Sequence, residues 1–252
     1  MTAEELAAAK RFEELAKRAY DKGIVAYTNF LSMDELAVLA SLKKSLAYVP
    51  CGLWGGMEGC ERQMARFGDP GPCGCEEPFP IACVKISPTS RKFADVLTHR
   101  DFLGALMNLG IERDTLGDVM VKENEGYVFC TQAIAPYVIE SLTQVKRTAV
   151  GCAISPAPQG ELFSLAAETV RVSSPRADAV IARAYHLSRE DSLELFRTAK
   201  VFVNSALQEN NSAQLRQGDV VSVRGFGRFV FRGVAGTSKK GKLNVAIEKY
   251  QS

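Results

Sequence analysis

Residues 173–228 read SSPRADAVIARAYHLSREDSLELFRTAKVFVNSALQENNSAQLRQGDVVSVRGFGR. The punctuation predicts two short helices, a tight turn and paired strands. Ser174 is placed to cap the first helix, with Pro175 at the first helical position, where a missing N–H costs nothing. Ser188 is placed to cap the second, with Asp191 three residues on as its capping-box partner. Arg176 and Arg183 are seven residues apart, nearly on one face of the first helix. Arg189 and Lys200 are expected to project close together from the second, with Leu193 and Phe196 facing inward. Val201–Val203 is a short strand, Asn204-Ser205 a turn, and Gly218-Asp219 turns the chain into Val220–Val223, whose apolar pattern suits a sheet.

Cations gathered on a helical face suit a phosphate backbone, because each paired Lys or Arg releases condensed counterions. A solvated helix pair with ordinary surface charge fits the same spacing. Four stretches carry more. Arg176-x-Asp178, Ser188-Arg189, Lys200-Val201-x-Val203-Asn204 and Gly218-Asp219-Val220-Val221-Ser222-Val223-Arg224 follow the order and spacing of the S4 RNA-binding domain, which this region resembles. Ala177, Lys200 and Ser205 replace a common Leu and two common Gly residues, and no change removes a positive charge. The resemblance implies an S4 (αL-type) domain over residues 169–252. Its expected RNA-binding residues are Arg176, Arg183, Ser188, Arg189, Lys200, Asn204, Arg216, Arg224 and Arg228, together with Lys239, Lys240 and Lys242 of a basic loop. Asp178 is expected to orient a neighbouring Arg, and Asn204 to set its turn.

Charge is uneven along the chain. Of 31 Lys+Arg and 29 Asp+Glu, residues 171–252 hold 14 and 7, a net of +7, which leaves the preceding residues at −5. A basic end on a mildly acidic chain points to local polyanion binding. With 46% hydrophobic and 24% charged residues, the 252-residue chain has an ordinary globular balance. Its opening residues are charged, so no secretory leader is expected. No apolar run is long enough for a bilayer, and a cytoplasmic location follows as the expectation. The seven cysteines are irregularly spaced and expected to be reduced. Cys60, Cys73, Cys75 and Cys83 invite a zinc site, but their close pair is Cys-Gly-Cys rather than a knuckle, so no metal is expected.

Upstream, Thr2 and Glu5 predict a capped helix to Gly23, with Leu6, Phe12, Leu15 and Ala19 as its buried stripe. A second helix starts at Ser32 with Glu35 as its partner, stapled by Leu31 and Leu36. Residues 51–80 read as loop-rich, with Trp54 a packing anchor and Arg62 and Arg66 four apart on a helix turn. Residues 1–78 thus form an N-terminal helical region. From 79 to 168 the expected order is strand 81–86, helix 98–108, strands 119–121 and 127–130, a helix from Pro136, and strand 149–154. That is a ferredoxin-like (RRM-like) middle domain in an α+β chain. His99, Arg100 and Arg113 offer a possible second RNA contact there.

GLWGGMEGCERQMARF, HRDFLGALMNLGIERDTLGD, SSPRADAVIA, RGFGRF and GTSKKGKL together resemble the YlmH family of bacterial S4-domain proteins over nearly the whole chain. The resemblance implies structured RNA (rRNA, tRNA) and the large ribosomal subunit as partners, in quality control of stalled nascent chains, with no cofactor and no small-molecule substrate. S4 domains also accompany RNA-modifying enzymes. In that alternative Asp101 or Asp118 has to be the catalytic carboxylate, although each also fits a helix start or a turn. A third class is an adaptor whose N-terminal helices dock a protein. Gly236-Thr-Ser-Lys-Lys-Gly241-Lys242 mimics a phosphate loop, but Leu243 follows it and a strand is expected next, so it is set aside.

Overall fold

Thr2 and Glu5 close a reciprocal capping box at the start of α1 (Ala3–Lys22), and Gly23 ends the helix at φ +59°. The computed structural model describes residues 2–69, 78–158, 165–204, 206–238 and 241–250, divided between two units, Met1–Leu162 and Phe163–Ser252. Among the described residues no helix is long and apolar enough to cross a membrane.

In the first unit α1 is followed by β1 (Ala26–Leu31), α2 (Met33–Ser41), β2 (Cys51–Trp54) and β3 (Gln63–Phe67). The buried stripe of α1 is Ala8, Ala9, Phe12, Ala16 and Ala19. Leu6, expected in it, is 63% exposed, because it points about 110° from the stripe's centre on a helix of 3.6 residues per turn. Ser32 and Glu35 box the start of α2 as expected, and Leu31 and Leu36 are both buried. The region is not purely helical. A three-stranded antiparallel sheet, order β1-β3-β2, lies beneath α1 and α2. Arg62 and Arg66 therefore do not share a helix turn. Arg66 is on β3, where Met64, Ala65 and Phe67 are buried. Trp54 is 41% exposed on β2 rather than an interior anchor.

The same unit continues with β4 (Ile81–Pro88), α3 (His99–Met107), β5 (Leu116–Lys122), β6 (Glu125–Thr131), α4 (Ala135–Ser141), β7 (Gln144–Val145) and β8 (Thr148–Ile154). The expected strand–helix–strand–strand–helix–strand order is present, with the two-residue β7 added. All neighbours in the sheet, order β5-β6-β4-β8-β7, are antiparallel. Alternate residues Val84, Ile86, Val128 and Cys130 of the central pair pack under Phe102, Leu106 and Val138. Gly126 is required there: a Cβ would stand 2.7 Å from the Phe102 ring.

The second unit holds β9 (Leu165–Val172), α5 (Ala177–Ala184), α6 (Arg189–Arg197), β10 (Val201–Val203), β11 (Ala206–Leu207), β12 (Val220–Val223), β13 (Gly227–Thr237) and β14 (Leu243–Tyr250). Six antiparallel strands in the order β11-β10-β12-β13-β14-β9 are covered by the two helices, through Val180, Ile181, Leu195 and Phe196. α5 begins two residues later than Pro175 suggested, with Arg176 at the cap. The cause is residues 211–215, whose carbonyls accept from the amides of Ala177 and Asp178 while Leu215 donates to Pro175. These bonds keep the chain extended through Arg176.

Candidate nucleic-acid interface

The end of β9, the outer face of α5, the start of α6 and the turn end of the β13–β14 hairpin surround a groove of about 480 Å³. Register explains the meeting: Val172 pairs with Leu243, so Lys242 arrives beside the chain entering α5. Arg171, Arg176, Arg183, Arg189 and Lys242 all line the groove. Its lining carboxylate, Asp178, is only 5% exposed and is already taken. Arg176 donates to it through Nε at 3.0 Å and Nη2 at 2.6 Å, and the pair raises the Arg176 pKa. The fork is thereby held in one orientation. Arg171, Arg183, Arg189 and Lys242 make no ion pair among the described residues, and the three arginines and the lysine are all exposed.

Ser188 lines the groove too, but its hydroxyl is engaged: it donates to Asp191 Oδ2 at 2.6 Å and accepts from the Asp191 amide at 3.0 Å. That box fixes the start of α6 and so the position of Arg189. A cation at a helix N-terminus opposes the helix dipole. Arg189 occupies that place and lines the groove, with Glu190 and Asp191 sharing the first turn.

Five expected residues lie elsewhere. Lys200 does not accompany Arg189, because α6 ends at Arg197 and eleven residues at the helical rise span roughly 16 Å. Its carbonyl accepts from the Arg224 amide at 2.9 Å, so Lys200 and Arg224 mark the opposite end of the helix layer. Asn204, at φ +51°, donates to Asp219 and accepts from the Val220 amide, both at 2.9 Å, and so sets its turn. Arg216 adjoins that turn, its amide donating to Asp219. The Arg228 guanidinium lies 4.2 Å from the Tyr250 ring centroid. Lys239, Lys240 and Ser205 are outside the described residues. Arg171 escaped the sequence reading because it sits within a strand; the alternation Val170-Arg171-Val172 was the available signal.

The middle strands use their polar residues internally. Arg113 donates through Nη1 to the carbonyls of Leu116 at 2.6 Å and Gly117 at 3.3 Å, and burial lowers its pKa to about 10. Arg62 donates to Leu116 and Phe30 carbonyls, tying β1 to β5. Burial likewise lowers the pKa of His99, which faces Asp118 and Arg113. Arg113 presents no free cation, because its guanidinium fastens the interior, and burial disfavours the charged form of His99. Arg100 is exposed. Asp118 accepts from the Glu61 and Arg62 amides at 2.6 and 3.2 Å. Asp101 caps α3 and pairs with Lys146 at 2.8 Å. Cys60 and Cys83 are buried and not disulfide-bonded, Cys73 and Cys75 lie outside the described residues, and no described group of three His, Cys, Asp or Glu could hold a metal.

Residues 75–158 match the family model described as "Putative RNA-binding domain in YlmH". Over 225 residues the chain is 31% identical to the "Ribosome-associated protein quality control protein P2" of Bacillus subtilis (strain 168), covering 88% of this chain and 86% of the relative. The chain belongs to the YlmH family. A solved YlmH structure, "Cell division protein ylmH from Streptococcus pneumoniae", matches at TM-score 0.50 and 22% identity, over 62% of this chain and 93% of that one. The likeness is one of fold. The groove is built from residues 171–242, beyond the stretch that the YlmH domain model covers.

Proposed function

We propose that this protein is a non-enzymatic RNA-binding factor of the translation apparatus, and that the groove grips the phosphate backbone of structured RNA. The observation that carries this is the meeting of five cations from four separate chain segments around one groove. Recognition then proceeds by shape and backbone contact rather than base sequence. Two findings support the wider setting. The family model is described as an RNA-binding domain, and the relative is named for ribosome-associated protein quality control. On this reading the partners are rRNA or tRNA on the large ribosomal subunit bearing a stalled nascent chain, in the cytoplasm. The six-stranded unit, which takes in β9 from Leu165, is read as the S4 domain, β4 to β8 as the ferredoxin-like domain, and residues 1–78 as an N-terminal region within the same unit as β4 to β8.

The test is co-sedimentation with purified large ribosomal subunits. Arg183→Ala with Arg189→Ala is expected to lower the bound fraction sharply while circular dichroism stays unchanged. Wild-type co-sedimentation by a folded double variant would remove the groove from the account.

A further inference from the structure

Two of the chain's most exposed large apolar side chains stand on one short strap. Residues 89–98 join β4 to α3, and on them Phe93 is 80% exposed and Val96 83%. Single exposed hydrophobics are ordinary on protein surfaces. What sets this pair apart is how firmly their backbone is held. The Thr89 amide donates to the Ala149 carbonyl at 3.0 Å, and the Asp95 amide to Thr148 Oγ1 at 2.9 Å. The Leu97 amide donates to Asn124 Oδ1 at 2.7 Å, while Asn124 Nδ2 donates to the Asp95 carbonyl at 2.9 Å. Arg91 reaches the buried Glu125 at 3.0 Å. Asn124 itself sits at φ +65°, so the neighbouring hairpin turn is shaped to grip the strap. A solvent-facing aromatic on a backbone held this way is pre-organised for a partner, since little backbone freedom remains to be lost on binding.

Charge indicates which partner. Asp95 accepts from the Arg147 amide at 3.3 Å, which brings Arg147 alongside the strap. The Lys92 ammonium is 5.6 Å from the Phe93 ring centroid. Neither Lys92 nor Arg147 has an ion-pair partner among the described residues. Cations beside an exposed ring are the arrangement that holds single-stranded nucleic acid, base on ring and phosphate on ammonium or guanidinium.

We propose that this strap is a second RNA contact, separate from the groove, where Phe93 stacks on an unpaired base and Lys92 and Arg147 take the flanking phosphates. The inference rests on the reading of the chain as an RNA binder, but not on the groove. It is tested by fluorescence anisotropy of the full chain with labelled oligouridylate and, separately, with a blunt RNA duplex. Phe93→Ala is expected to weaken oligouridylate binding roughly tenfold and to leave duplex binding and thermal unfolding unchanged. Phe93→Trp should keep the wild-type affinity, and Phe93→Leu should behave as the alanine variant. The proposal is overturned if wild type fails to bind oligouridylate, if Phe93→Ala binds it as wild type does, or if Phe93→Leu restores binding. Loss of ribosomal-subunit binding by Phe93→Ala at unchanged oligouridylate affinity would likewise overturn it, in favour of a protein partner. Arg183→Ala with Arg189→Ala is scored on the duplex alone, so failure of the groove reading registers independently.

Discussion

Ser192 lies inside the α5–α6 pair and Arg183 on its surface, and they illustrate how differently two residues can matter. Ser192 is fully buried and donates its hydroxyl to the Asp178 carbonyl at 2.8 Å. Ser192→Ala is expected to cost about 1 kcal/mol of stability, visible in denaturant unfolding, with RNA affinity retained by the folded protein. Arg183 is exposed and unpaired among the described residues, so its loss should register in binding and not in stability. The Arg176–Asp178 pair was legible, because two residues of spacing let a carboxylate at a helix start meet a guanidinium just before it. Lys200 was not. Helical spacing aligns it with Arg189 in projection, but projection says nothing of distance along the axis or of where the helix stops.

Elements with strong local signals were readable: the capping boxes of α1, α2, α3 and α6 all formed at the residues whose side chains make them. The two positive φ values at Glu123 and Asn124 likewise mark the turn expected between β5 and β6. β1, β2 and β3 were missed because each is short and the spacing of Arg62 and Arg66 mimics a helix. Their pairing is stated only by contacts distant in sequence, such as Tyr27 opposite Arg66. At α3 the capping carboxylate gives a pH test. The Lys146 ammonium, then the Thr98 hydroxyl and amide, hold the Asp101 pKa down from 3.8 to about 2. A depressed carboxyl pKa stabilises the fold above its unfolded value and loses that contribution as pH falls through the folded one. Asp101→Asn is therefore expected to melt below wild type at neutral pH, the gap narrowing from pH 3.8 down to about 2, where the curves meet. A gap of constant size across that range would contradict the assigned pairing.

Across the whole molecule, charge was the most readable property and its placement the least. The excess of basic residues in the last third follows from counting; that Arg171 and Lys242 complete a groove with α5 follows only from the register of β9 on β14. The central claim is electrostatic, and salt tests it most directly. Each phosphate contact contributes roughly 0.9 to the slope of log affinity against log salt concentration on a duplex, by release of condensed counterions. The decisive measurement is that slope for a structured RNA hairpin, wild type against Arg183→Ala with Arg189→Ala. The account predicts a variant slope shallower by about 2 with unchanged thermal unfolding. Parallel lines for the two proteins would contradict it.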